Sequence, residues 1–169
     1  KRSPNDKTFA SGDLECGDAD FDGDRDIFAV EHTGEWDNAG ARSVLYWFEN
    51  PGWQAHQIGE ITDFVKDMSI ADFNQDNKMD IAVLTYENNT LSIFQQEGKD
   101  EWKRVQFFKH YKNIHEGMAA GDVDGDGFVD IVANAHIFYN PGENLQGQWN
   151  QENLDNKWNA QSKKKKKNA

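Results

Sequence analysis

The stretch Asp122-Val123-Asp124-Gly125-Asp126-Gly127-Phe128-Val129-Asp130, followed at once by Ile131-Val132-Ala133, decides the fold. Carboxylates stand at its first, third and fifth positions, a glycine at the sixth, and a last Asp closes it at the ninth. The pattern occurs twice more, at Asp18-Ala19-Asp20-Phe21-Asp22-Gly23-Asp24-Arg25-Asp26 and at Asp72-Phe73-Asn74-Gln75-Asp76-Asn77-Lys78-Met79-Asp80. The spacings are 54 and 50 residues, and a fixed period of that size marks a repeat architecture.

The flanks repeat with the loops. Each loop follows a short run (Leu14–Gly17, Met68–Ala71, Met118–Gly121) and precedes a β-rich one (Ile27–Val30, Ile81–Leu84, Ile131–Ala133). A third run comes next, at Val44–Phe48, Leu91–Phe94 and Ile137–Tyr139. Turn residues follow at Asn50-Pro51-Gly52, Glu97-Gly98 and Asn140-Pro141-Gly142, and then a Trp opens a fourth run at Trp53, Trp102 and Trp149. Four short strands per unit with turns between them are the blade of a β-propeller. Three successive EF-hands are excluded because their loops sit between amphipathic helices, whereas these flanks are short, β-branched and aromatic. The predicted class is therefore all-β, with three four-stranded antiparallel blades.

The pattern resembles FG-GAP or VCBS repeats. These occur in integrin α-subunit propellers, in secreted bacterial proteins and in some carbohydrate-active proteins. Trp47-Phe48-Glu49-Asn50-Pro51-Gly52 is most similar to the bacterial and fungal branch. The resemblance spans about residues 10 to 155 and implies a calcium-stabilised propeller at the cell surface or outside the cell. The expected layout is an N-terminal extension at 1–9, repeats near 10–60, 61–110 and 111–158, and a Lys-rich tail at 159–169. Propellers close with about 4–8 blades, so three imply part of a larger ring or completion by oligomerisation. Two copies making six blades is the simplest closed arrangement.

Composition agrees with that reading. The hydrophobic fraction is 37%, but 11 Phe, 6 Trp and 4 Tyr supply large apolar area from few residues. No apolar run is long enough to span a membrane. The net charge of −12 argues against nucleic acid as partner. Twelve of the 30 acidic residues fall in the three loops, a density that repels itself unless cations neutralise it. Cys16 is the one cysteine, which excludes an internal disulfide and a thiolate-built zinc site. Its apolar neighbours predict a buried thiol. The opening segment Lys1–Asp6 shows no signal peptide and reads as a mature or trimmed start.

Calcium takes about 6–8 oxygen ligands at about 2.3–2.6 Å, and a tight loop supplies them by alternation. In loop one the expected ligands are Asp18, Asp20, Asp22 and Asp26, with the carbonyl of Asp24. In loop two they are Asp72, Asn74, Asp76 and Asp80, with the carbonyl of Lys78. In loop three they are Asp122, Asp124, Asp126 and Asp130, with the carbonyl of Phe128. The sixth position needs a left-handed backbone, which Gly23 and Gly127 adopt freely and Asn77 at small cost. Up to three ions are thus expected. No Glu stands at the twelfth position, so affinity in the extracellular range, on the order of 10⁻⁴–10⁻³ M, is expected. Asn74 and Lys78 make loop two the least charged.

A working surface is expected on the rim opposite the metals. Glu31, His32, Trp36, Arg42, Tyr86, His115, Glu116 and His136 are its candidate ligand-binding residues, His32, Tyr86 and His136 each standing six residues past a loop's last Asp. Aromatic faces stack on sugar rings while carboxylate and imidazole groups bond hydroxyls. The expected role is a non-catalytic extracellular module that binds carbohydrate or a protein partner. Two alternatives stand beside it. One is part of a polysaccharide lyase or sugar dehydratase, with His32, His115, Glu116 and His136 as acid–base groups. The other is a structural unit of a surface assembly. Asn88-Asn89-Thr90 fits a glycosylation sequon, and Lys163–Lys167 reads as a polar tail.

Overall fold

A computed structural model of the chain describes residues 8–33, 42–86, 90–109 and 117–154. Among these residues every regular element is a β-strand, twelve in all. Blade one comprises β1 (Thr8–Gly17), β2 (Asp26–Thr33), β3 (Arg42–Glu49) and β4 (Gln54–Ile61). Blade two comprises β5 (Val65–Ala71), β6 (Asp80–Thr85), β7 (Thr90–Gly98) and β8 (Glu101–Lys109). Blade three comprises β9 (Met118–Gly121), β10 (Asp130–Ala133), β11 (His136–Tyr139) and β12 (Asn150–Asn153). Each blade is one four-stranded antiparallel meander in chain order. The predicted all-β class and the three sheets are therefore both found. Each acidic loop joins the first strand of its blade to the second.

The blades pack face to face in series, and burial reports each one's place. β6 is buried along its whole length because blade two is covered on both faces. In β2 buried and half-buried residues alternate instead, the pattern of a sheet packed on one side. Phe28, Val30, Leu45 and Trp47 of blade one interlock with Met68, Ile81, Val83 and Phe94 of blade two. Ala82, Leu84, Leu91 and Ile93 on the opposite face of blade two meet Ile131, Ala133 and Phe138 of blade three. At the blade one–two joint, His56 stacks on Trp47, centroids 4.0 Å apart. Its ring nitrogens meet Asp100 Oδ1 at 2.8 Å and Glu49 Oε2 at 3.0 Å.

The three repeated Trp do not share one environment, and two expectations are corrected. Trp149 is buried and Trp102 packs against the first core, but Trp53 is 51% exposed in the turn before β4 and fills no core. Cys16 is exposed rather than buried, because β1 presents it on the face of blade one turned away from blade two. His136 is not the counterpart of His32 and Tyr86. A tight turn at Asn134 and Ala135, φ 50° and 61°, ends β10 early and places His136 at the start of β11. Trp36, His115, Glu116, the Asn88–Asn89 part of the sequon and the Lys-rich tail lie outside the described residues.

Candidate metal centres

The three loops share one hydrogen-bond plan, set by which backbone N–H groups each Asp can reach. The first Asp folds the loop over itself. Asp18 accepts from Phe21 N at 2.8 Å and Gly23 N at 3.1 Å. Asp122 accepts from Gly125 N at 2.7 Å and Gly127 N at 3.0 Å. Asp72 departs at one donor, accepting from the fifth residue, Asp76 N, at 3.0 Å, and from the sixth, Asn77 N, at 2.8 Å. The sixth residue has positive φ in every loop, 95° at Gly23, 66° at Asn77 and 96° at Gly127. The fourth residue does too, at Phe21 (68°), Gln75 (60°) and Gly125 (82°). Only the third loop signals this in sequence, with a glycine.

The ninth Asp has a different environment. Asp26, Asp80 and Asp130 are fully buried. In each, Oδ2 accepts from the loop's second residue: Ala19 N at 2.7 Å, Phe73 N at 3.2 Å and Val123 N at 2.9 Å. In each, Oδ1 accepts from a backbone N–H near the end of the third strand: Asn50 N at 2.9 Å, Gln96 N at 2.9 Å and Asn140 N at 2.8 Å. This carboxylate therefore staples the loop to the blade, whatever else it binds. Burial pushes the Asp80 carboxyl up to about 7, helped by the charges of Asp76 and Asp72, while the N–H groups of Gln96 and Phe73 pull the other way.

Carboxylate oxygens of Asp18, Asp20 and Asp22 lie within 4.8 Å of one another, as do those of Asp122, Asp124 and Asp130. Two ligands on opposite sides of an ion at about 2.4 Å are about 4.8 Å apart, so both clusters fit one calcium-sized cation. The donor sets are wholly oxygen, as a hard cation requires. Asp24 is held above its ordinary range by desolvation and by its neighbours Asp22 and Asp26.

Lysines already reach two of the loops. Lys99, from the β7–β8 turn, places Nζ 2.9 Å from Asp20 Oδ2 and 3.1 Å from Glu49 Oε1, and its hydrogen bond holds the Asp20 carboxyl below the usual range. In loop two Lys78 Nζ lies 2.6 Å from Asp76 Oδ2. Burial alone would raise Asp76, but hydrogen bonds from Lys78 and Asn74 bring it below the ordinary value. A lysine thus carries part of the positive charge that loop two, with only three carboxylates, calls for.

The described residues expected on the opposite rim sit in separate surroundings. His32 is buried and packs on Phe64, ring centroids 4.9 Å apart. Burial lowers its pKa and favours the neutral ring. Arg42 pairs with Glu60, Glu31 is half-buried in β2, and Lys66 Nζ sits 4.6 Å over the Tyr86 ring. His136 is buried, its Nδ1 2.8 Å from the carbonyl of Asn134. A carbonyl only accepts, so that nitrogen carries the proton.

The amides of Gln96 and Asn140 escaped sequence reading although they tie blade to blade. Gln96 Nε2 donates to Ala19 O at 2.7 Å, and Asn140 Nδ2 to Phe73 O at 2.8 Å. The signal for them is position, an amide side chain ending the third strand of each unit at Asn50, Gln96 and Asn140.

A model of the FG-GAP-like repeat family matches residues 18–83 and again residues 72–133. No curated protein and no solved structure matches the chain.

Proposed function

From the premise that the chain belongs to the FG-GAP-like repeat family, we propose that it is a calcium-stabilised, extracellular, non-catalytic propeller module that binds carbohydrate or a protein partner. One observation carries the metal half of this reading: carboxylate oxygens of loops one and three converge within 4.8 Å. The ion would neutralise carboxylates that otherwise repel one another and fix the turn between the first two strands of a blade. Without the bidentate Glu of an EF-hand, affinity falls in the extracellular range, on the order of 10⁻⁴–10⁻³ M.

The binding half rests on the rim opposite the loops, where Glu31, Arg42, Tyr86 and Lys66 offer charge and an aromatic face. Burial of His32 and His136, two members of the acid–base set, supports binding over catalysis. Among the described residues no helix is long and apolar enough to cross a membrane. The three blades would form part of a larger ring, completed by a second copy or by further blades.

A glycan array probed with and without calcium tests the proposal, beside calorimetric titration with calcium. Calcium binding together with glycan retention and no turnover is the expected result. Release of unsaturated uronates from a polyuronide would replace the binding role with a lyase. Absence of heat with calcium would remove the metal.

A further inference from the structure

The two joints inside the chain are built alike, each from a forward half and a back half. The forward half is the second residue of an acidic loop. Ala19 and Phe73 hold this place, and both are fully buried under the next blade. Their carbonyls accept from that blade's amide, Gln96 at 2.7 Å and Asn140 at 2.8 Å. The back half is the amide itself with an apolar stripe across the sheet, which in blade two is Met68, Ile81 and Phe94.

Among the described residues, blade three presents a forward half that no blade covers. Val123 holds the place of Ala19 and Phe73, yet it is 47% exposed. Its carbonyl meets no side-chain donor among the described residues. Blade one begins the series on an uncovered back half. Leu14 holds the place of Met68 and is 60% exposed, against 3% for Met68. Cys16 is exposed beside it, paired with Ile27, which in turn pairs with Phe48. Asn50 holds the place of Gln96 and Asn140. It gives one amide hydrogen to Arg25 O at 3.3 Å, as Asn140 does to Val129 O at 2.9 Å. The other hydrogen, which Asn140 gives to the blade before it, has no acceptor among the described residues.

We propose that these two ends are the halves of a third joint, made head to tail between two copies of this chain. The Asn50 amide of one copy donates to the Val123 carbonyl of the other, while Leu14, Cys16, Ile27 and Phe48 close over the Val123 side chain. The same joint forms again on the other side, so two copies close a ring of six blades. That number lies within the range of about 4–8 blades in which propellers close, whereas three copies would exceed it. The proposal rests on reading the chain as an incomplete ring. It commits to a second copy because this chain carries both complementary halves.

The joint between copies lacks a bond that both internal joints make. Asp13 accepts from Met68 N across the first joint, and Asp67 Oδ2 accepts from Gly117 N at 3.1 Å across the second. Gly117 holds the corresponding place in blade three and offers no carboxylate. Association is therefore reversible and concentration-dependent.

Light scattering on the full chain in calcium, across a wide concentration range, tests this. The expected species at high concentration has twice the chain mass of 19.3 kDa. Val123→Lys and Leu14→Glu each place a charge at an exposed position of the single chain. Each is expected to leave the circular dichroism unchanged and to weaken the dimer at least about a hundredfold. Mixing the two variants restores one intact joint and hence a heterodimer, which a back-to-back contact through blade one alone would not. Alkylation of Cys16 should slow as the dimer forms. A chain that stays monomeric at high concentration, or a Val123→Lys variant that dimerises like the wild type, overturns the proposal. Neither outcome touches the calcium reading, which titration tests separately.

Discussion

The side-chain amide of Gln96, at the end of β7, donates to the backbone carbonyl of Ala19 in the acidic loop of the preceding blade, at 2.7 Å. Its oxygen accepts from Met79 N at 3.2 Å, so one buried side chain holds both its own loop and its neighbour's. The joint between blades is thus polar at the end that carries the acidic loops and apolar along the sheet. Loop conformation and blade packing are coupled through it.

Replacing Gln96 by Leu would leave the Ala19 carbonyl and the Met79 N–H without partners. A buried group stripped of its partner loses about 1–3 kcal/mol. Urea unfolding of Gln96→Leu should show a loss in that range. Asn50→Leu, whose amide makes one 3.3 Å bond to Arg25 O near the surface, should shift monomer stability by well under half as much. Equal losses would refute the coupling.

The ninth Asp should matter to the fold even without metal. Asp130 accepts Val123 N and Asn140 N from within the blade, at 2.9 and 2.8 Å. Asp130→Asn turns an amide N–H₂ toward one of those donors, and a loss of about 2–4 kcal/mol is expected in chelator as well as in calcium. Among the described residues Asp124 Oδ1 accepts only the exposed Asp126 N, at 3.1 Å. Asp124→Asn should therefore lower stability in calcium and leave it nearly unchanged in chelator. Thermal melts of both variants under both conditions check the contrast.

Calcium should raise the melting temperature, and a chelator should lower it again, because an ion bound only by the folded loops shifts the equilibrium by mass action. Lys78 would compete with a cation in loop two, its Nζ 2.6 Å from Asp76 Oδ2. Removing that charge in Lys78→Ala should tighten calcium binding at this loop by up to about tenfold. Calorimetry that finds no added or strengthened site in the variant would count against loop two as a metal centre.

Gly59 in β4 sits against the ring of Phe94 in blade two. A Cβ built there would lie 2.8 Å from Phe94 Cε1, so the ring or the strand must move. Gly59→Ala should destabilise by about 1–3 kcal/mol through overpacking. Gly52, where an added Cβ meets nothing within 4 Å, provides the control, and Gly52→Ala should change stability little by the same urea assay.

The sequence by itself determined the blades. Loop acids at a period near fifty, each followed by a β-rich run, place three turns and twelve strands along the chain with little dependence on distant residues. The sixth-position backbone was legible for the same reason, since Gly23, Asn77 and Gly127 are types that tolerate positive φ. Left-handed Phe21 and Gln75 were not, because nothing in those side chains signals the bend that Asp18 and Asp72 impose.

Tertiary structure decided everything that depends on a neighbouring blade. Repeat equivalence predicts one environment for each position, but a position is buried only where a blade covers it. Hence Met68 lies buried and Leu14 exposed, and Cys16 lies open despite its apolar neighbours. The ninth Asp proved to be a buried staple as well as a candidate ligand, because its partners Asn50, Gln96 and Asn140 arrive from a strand between 10 and 24 residues further on. Local sequence sets backbone conformation through short-range sterics and turn hydrogen bonds. Burial and polar partnership depend on what the rest of the fold brings within reach.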